Sequence, residues 1–218
     1  MKKITKKKIK KGKFIVIEGD DGSGKSSAID YLKKKFGGRK DVVFSKEPGG
    51  TLVGDKIRTI LQDKENEDMS VMTDLLLYSA SRAENIEKVI LPALNSGVHV
   101  ICDRFDLSTL AYQIYARGRQ DYLKFFEKLN KFVIADCKPD LYLFLDVSPE
   151  IGAERSRKRG EELSRFDAKS IEFHSRVRDG YRVHLRQKPH KIIDTNCMSL
   201  EDVRVKAHKI IVSILKIK

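Results

Sequence analysis

Residues 14–27, FIVIEGDDGSGKSS, constrain the fold more than any other part of this chain. Within them Gly19, Asp20, Asp21, Gly22, Ser23, Gly24, Lys25 and Ser26 fit the spacing G-x-x-x-x-G-K-[ST]. At average composition that string arises by chance in roughly one chain in a hundred of this length. The apolar, β-branched run 14–17 before it reads as a strand, and residues 28–32 after it suit a helix. Strand, glycine loop and helix therefore follow in the order the motif needs. Glycines let successive backbone N–H groups approach an anion with no Cβ in the way. A helix opening near Lys25 aims its positive dipole end at the same place. Lys25 adds a point charge for the outer phosphates, and Ser26 offers a hydroxyl to Mg²⁺. A glycine-rich turn that merely joined a strand to a helix would not ask for Lys and Ser at those offsets. Gly19 to Ser27 are thus expected to hold a nucleoside triphosphate.

Composition narrows the setting. The chain has 218 residues, 40% of them hydrophobic, which suits one domain with a core. No apolar run approaches the ~18 residues of a membrane span, and the N-terminus has no apolar region of a signal peptide. Cys102, Cys137 and Cys197 are odd in number, widely spaced and without a C-x-x-C pair. They suit a reducing cytoplasm and argue against a disulfide framework or a zinc site. The net charge is +13, and residues 1–13, MKKITKKKIKKGK, carry eight lysines and no acid. This segment reads as a disordered, solvated tail, with residues 14–218 as the folded domain. A tether to nucleic acid or another polyanion is the alternative use of such a tail.

Apolar runs at 14–17, 42–44, 98–102, 141–145 and 191–194 alternate with helical patterns, which predicts an α/β parallel sheet covered on both faces. Ligands of such sheets sit at the carboxyl ends of the strands. Asp21, Glu47, Asp103 and Asp146 all lie just past such ends. No N-K-x-D guanine signature is present. Cations are spread instead over Arg58, Arg82, Arg104 and the cluster Arg155, Arg157, Arg159 and Arg165. Phosphoryl transfer is largely positioning and charge neutralisation. Two phosphate-bearing substrates need more cation than the loop and Mg²⁺ provide. An acceptor that is itself a phosphate is mostly dianionic at neutral pH and needs no general base. The arginines fit one nucleotide phosphorylating another, and the cluster near Gly160 reads as a lid over about 152–167 that excludes water. A solvated basic helix face is the plainer reading of that cluster.

Five stretches together resemble the thymidylate kinase family of the bacterial type, from about Lys13 to the C-terminus. They are GDDGSGKS, EPGGT at 47–51, LLLYSASRAENIEKVILPAL at 75–94, CDRFDLSTLAYQ at 102–113 and FLDVSPEIGAERSRKRGEELSRFD at 144–167. The resemblance implies a P-loop nucleoside triphosphate hydrolase-like three-layer fold with a five-stranded parallel sheet and a helical lid. It implies ATP-dependent phosphorylation of dTMP to dTDP with Mg²⁺, in a cytoplasmic homodimer paired through long helices such as 70–95. Asp21 matches the acid that contacts the acceptor sugar or organises the metal, and Asp103 with Ser26 sits at the metal. Tyr78 falls where a ring stacks on thymine, and Arg82 where an arginine bonds the thymine edge. Arg104 matches the grip on the acceptor phosphate, with Glu47 and Arg58 on the same substrate. Ser108, Thr109, Tyr112 and Gln113 match the stretch lining deoxyribose and base, Tyr112 where a 2′-hydroxyl would project. With no arginine in the P-loop, Arg155, Arg157 and Arg159 join Lys25 and Arg104 as the catalytic cations. Two positions depart from the family pattern: Lys46 replaces an arginine and Phe105 a tyrosine. The loop 194–196 is the expected adenine cover. The rival readings are another nucleoside or nucleotide kinase on this scaffold, and a P-loop ATPase that binds nucleic acid.

Overall fold

A computed structural model of the chain describes residues 11–159 and 169–217, without the side chain of Arg159. The elements run β1 (Phe14–Gly19), α1 (Lys25–Lys35), β2 (Val42–Lys46), α2 (Leu52–Gln62) and α3 (Val71–Asn85). A π-helical turn, Ile86–Ile90, carries α3 into α4 (Leu91–Asn95). Then follow β3 (His99–Asp103), α5 (Asp106–Thr109) with a second π-helical stretch Leu110–Tyr115, α6 (Leu123–Ile134) and β4 (Leu141–Asp146). The chain ends with α7 (Pro149–Arg159), α8 (Ile171–Leu185), β5 (His190–Asp194) and α9 (Leu200–Leu215). The strands form one sheet in the order β2-β3-β1-β4-β5, every neighbouring pair parallel.

The sheet is buried on both faces, which is why β1 and β4 are buried throughout and are apolar up to the Glu18 and Asp146 ends of the strands. Successive side chains alternate between faces. Phe14 and Val16 pack under α8 and the α3–α4 helix, against Phe173, Val177, Tyr181, Ile86 and Ile90. Ile15 and Ile17 pack on the other face, with Ala28 and Leu32 of α1 and Val203, Ala207 and Ile211 of α9. The result is the expected three-layer arrangement. Helix entries are capped by side chains: Thr51, Ser70, Ser170 and Ser199 accept from backbone N–H groups at the openings of α2, α3, α8 and α9. Each such cap is worth about 1 kcal/mol. The single helix expected over 70–95 widens into its π-helical turn just before Pro92, which has no N–H to give.

The fold begins slightly before the expected boundary. Gly12 N donates to Leu94 O (2.8 Å), Val100 N to Lys13 O (2.8 Å), and Lys13 Nζ pairs with Asp140. Gly12 and Lys13 therefore belong to the domain. The rest of the expected tail, up to residue 10, and the second half of the expected lid lie outside the described residues. The first half of the lid is α7, a regular helix that turns Arg157 to a different face from Arg155. Its base docks on the P-loop through two glycines. A Cβ on Gly22 would come within 2.3 Å of Gly152 O, and one on Gly152 within 2.7 Å of Asp21 O.

Candidate active site

The carboxyl ends of β1 and β3 open onto three adjoining clefts, and Asp21 borders all of them. The first, of about 350 Å³, is lined by Asp21, Lys25, Ser26, Glu47, Arg58, Tyr78, Arg82, Asp103, Arg104, Ser108, Thr109, Tyr112 and Gln113. The sequence-predicted acceptor residues thus converge on one cavity. Pro48, Gln62 and Phe105 complete it.

One end is cationic. Lys25 Nζ donates to Asp103 Oδ1 at 2.6 Å. Burial pushes the Lys25 ammonium down, and nearby Arg104 adds to that. Burial works to raise Asp103, but Lys25, Arg104 and Arg58 outweigh it and hold the carboxyl below its ordinary value. Arg104 has φ 67°, a left-handed backbone that a non-glycine residue adopts only when its surroundings demand it. Arg104 N donates to Ile17 O (3.0 Å) and Phe105 N to Glu18 Oε1 (2.9 Å), which fixes that turn. The guanidinium then reaches Ser108 Oγ (3.2 Å), Tyr181 OH (3.0 Å), Tyr112 OH (3.3 Å) and Asp21 Oδ1 (3.4 Å). Glu18, fully buried and with its pKa raised by that burial, accepts from Ser108 Oγ and Tyr181 OH and anchors the cluster.

The cleft also carries groups suited to a flat polar edge. Gln113 is fully buried, and neither atom of its amide has a partner among the described residues. Leaving a buried polar group unmet costs about 1–3 kcal/mol. In the same cleft Arg82, 1% exposed, donates from Nε to Glu47 Oε2 (2.9 Å), from Nη2 to Thr109 Oγ1 (2.8 Å) and from Nη1 to Asn130 Oδ1 (3.4 Å). Its guanidinium lies 5.2 Å from the Phe105 ring centre. Burial pushes the Glu47 carboxyl up to about 7, against the opposing charge of Arg82 and the bond from Asn85. Ser108 and Thr109 line the cleft as expected, but their hydroxyls are committed to Glu18, Arg104 and Arg82. Asn85, Asn130 and, behind it, Asp106 escaped the sequence reading. They act through tertiary contacts (Asn130 Nδ2 to Asp106 Oδ2, 3.1 Å); Asn85 and Asp106 lie within the stretches 75–94 and 102–113, but nothing in their local sequence marks these roles.

The second cleft, about 320 Å³, is formed by residues 20–27 of the P-loop with Arg155, Lys158, Met198, Leu200 and Val203. Gly19 closes β1 beneath it, where a Cβ would lie 2.6 Å from Ser23 Oγ. Gly24, φ 86°, precedes α1, whose first residues are Lys25, Ser26 and Ser27. The loop 194–196, the expected adenine cover, does not line this cleft, whose apolar side comes from Met198, Leu200 and Val203. The loop carbonyls of Thr195, Asn196 and Met198 instead receive Arg155 Nη2 at 2.8, 3.1 and 3.4 Å. An exposed leucine opening an amphipathic helix was the available signal. Arg157 borders the third cleft, with Ser156, Lys169 and His174. The described part of the lid therefore does not bring Arg155 and Arg157 together, and the Arg159 side chain lies outside the described residues.

Two donor sets could hold a cation. Ser26 and Asp103 share the first cleft and offer hard oxygen atoms, which suits Mg²⁺ with its retained waters. Asp20, Asp21 and His174 have donor atoms within 4.8 Å of one another. That set includes an imidazole nitrogen, a poor ligand for Mg²⁺, and His174 Nδ1 is already 3.1 Å from both Asp20 oxygens.

Comparison with known proteins agrees with this geometry. The family model described as thymidylate kinase matches residues 17–206. A thymidylate kinase of Legionella pneumophila (strain Corby) is 41% identical over 203 residues, 92% of this chain and 94% of its own. One from Bacillus cereus (strain Q1) is 44% identical over 173 residues, covering 78% and 82%. The crystal structure of thymidylate kinase from Ehrlichia chaffeensis superposes with a TM-score of 0.71 at 30% identity, over 92% of this chain and 98% of that one. With the P-loop, the charged cleft and the buried amide already in place, these likenesses leave one family: the chain is a member of the thymidylate kinases.

Proposed function

We propose that this protein transfers the γ-phosphoryl group of ATP to the phosphate of dTMP, giving ADP and dTDP. The observation that carries the reading is the unmet, buried amide of Gln113 in the cleft that Arg82, Lys25 and Arg104 also line. A thymine edge presents a carbonyl oxygen next to an N–H, and Gln113 offers an acceptor and a donor side by side. An amide can turn over to suit cytosine, but Arg82 only donates and so favours a carbonyl over an exocyclic amine. Tyr78 supplies a ring for the base, and Arg104 and Arg58 grip the acceptor phosphate.

The acceptor phosphate is its own nucleophile, so the protein's work is alignment and charge. ATP lies in the second cleft with its phosphates on residues 19–27 and adenine against Met198, Leu200 and Val203. Ser26 and Asp103 would hold Mg²⁺, which would supply charge neutralisation for the phosphates. Lys25 does the same from the loop. Arg155, Arg157 and Arg159 are the lid's contribution to the transition state, and Arg155 must give up its loop carbonyls to reach it. The enzyme acts in the cytoplasm: Cys102 and Cys137 are buried free thiols and Cys197 an exposed one, and no described helix is long and apolar enough to cross a membrane. It pairs as a homodimer through α3 and α6, which leave Leu76, Phe125 and Phe132 uncovered in the single chain.

The test is an ADP-release assay with ATP and Mg²⁺ against dTMP, dUMP, dCMP, dGMP, UMP and thymidine. Strong preference for dTMP is expected. Preference for another acceptor would move the error to Tyr78, Arg82 and Gln113, and no acceptor-dependent turnover would overturn the kinase reading.

A further inference from the structure

Asp20 belongs to the phosphate loop by sequence, yet its carboxylate serves the neighbouring cleft. Oδ1 accepts from the Tyr112 hydroxyl at 2.7 Å and from Asp21 N at 2.8 Å, and His174 Nδ1 lies 3.1 Å from both oxygens. Asp20, Tyr112 and His174 are all buried, at 6%, 6% and 8% exposure. The Tyr112 ring meets Phe173 and Tyr181 of α8 edge-on, with centres 6.3 and 6.4 Å apart. Its oxygen accepts from Arg104 Nη2 at 3.3 Å.

Tyr112 lines the same cleft as Lys25, Arg104, Arg82 and Gln113, and its hydroxyl sits beside the Arg104 guanidinium. With Arg104 read as the grip on the acceptor phosphate, the neighbouring part of the cleft is where a nucleotide carries its sugar. The phenol has one proton, and Asp20 holds it. Tyr112 therefore has no proton to give the oxygen of a sugar 2′-hydroxyl arriving there, and a buried hydroxyl oxygen left unmet is disfavoured. Asp20 is itself steadied by His174, from the first turn of α8.

We infer that Asp20 and His174 are positioning residues that hold the Tyr112 hydroxyl, so that preference for a 2′-deoxy acceptor is set from the phosphate loop and α8 together. The inference rests on the reading of the cleft as a nucleoside monophosphate site. It differs from a purely structural role for Asp20 in holding the loop, because the effect must pass through one hydroxyl.

The experiment compares kcat/KM for dTMP and for the ribose analogue, 5-methyluridine 5′-monophosphate, at saturating ATP. Damage to ATP binding is common to both acceptors and cancels in the ratio. Asp20→Ala should lower the deoxy preference by about tenfold, the size of one hydrogen bond. Asp20→Asn, which still offers an oxygen to Tyr112, should restore it. In a Tyr112→Phe background Asp20→Ala should lower the ratio no further, since the two act as a unit. His174→Ala should lower it by a smaller factor and serves as the second arm if Asp20→Ala fails to fold. An unchanged ratio in both alanine variants, or full additivity with Tyr112→Phe, overturns the inference while leaving the dTMP kinase reading intact. A wild-type enzyme that ignores dTMP overturns both.

Discussion

Glu47 and Arg82 form an ion pair at 3% and 1% side-chain exposure, and burial decides its chemistry. The Glu47 carboxyl titrates at an ordinary 4.5 when unfolded and about 7 in the fold. Between those values the folded chain holds a proton that the unfolded chain has released. Stability from this group is therefore fully present below about pH 4.5 and is lost as pH rises through about 7. Glu47→Gln keeps an acceptor for Arg82 and has nothing to titrate. Thermal melts at several pH values should show the variant gaining on wild type by a few degrees across that window and no further above it. A gap independent of pH would mean that Arg82 keeps Glu47 ionised throughout. The residues most open to reading from sequence were those in contiguous motifs: the P-loop, the Glu47 turn and the Arg104 stretch all line the clefts. Asn85, Asn130 and Met198 were not legible. Their positions come from packing between elements far apart in the chain, with no spacing to betray them.

At the level of elements, α8 is the one on which the acceptor cleft depends most. Phe173, His174 and Tyr181 all project from it toward Tyr112, Asp20 and Arg104. Its close approach to the π-helical stretch Leu110–Tyr115 is set by Gly180, where a Cβ would lie 2.9 Å from Tyr115 Cβ and 3.0 Å from Ala111 Cα. In an isolated helix Gly→Ala is stabilising by about 1 kcal/mol. Here the added methyl must push two packed elements apart, which costs about 1–3 kcal/mol. Gly180→Ala should therefore lower the melting temperature and raise KM for dTMP more than for ATP. A melting temperature above wild type would show that the helices part freely. The alternation of strands and helices along the chain and the two buried faces were foreseeable, because short apolar runs between helical patterns are local signals. The sheet order β2-β3-β1-β4-β5 was not, since it is set by pairing between distant segments. The π-helical turns were not foreseeable: they answer to Pro92 and to the α8 contact. Nor was the role of α7, whose alternating arginines a regular helix turns to different faces.

For the whole molecule, the question is what covers the apolar side of α3 and α6. Phe125 and Phe132 stand seven residues apart on one face of α6, with Phe132 85% exposed, and Leu76 of α3 is 47% exposed. A twofold pairing places each such residue in the interface twice. At about 1.5 kcal/mol or more for each buried phenylalanine, Phe132→Glu should weaken the dimer by about 10²-fold or more. Sedimentation across a range of concentrations reads this directly. The consequence for catalysis follows from where the helix sits. Tyr78 and Arg82 line the cleft from α3, whose other side would face the partner. In the proposed dimer a released protomer would gain freedom in α3, so KM for dTMP should rise while the P-loop and its ATP affinity stay unchanged. Wild-type protein that sediments as a monomer at every concentration would remove the dimer, and with it any claim that pairing braces the base end of the cleft.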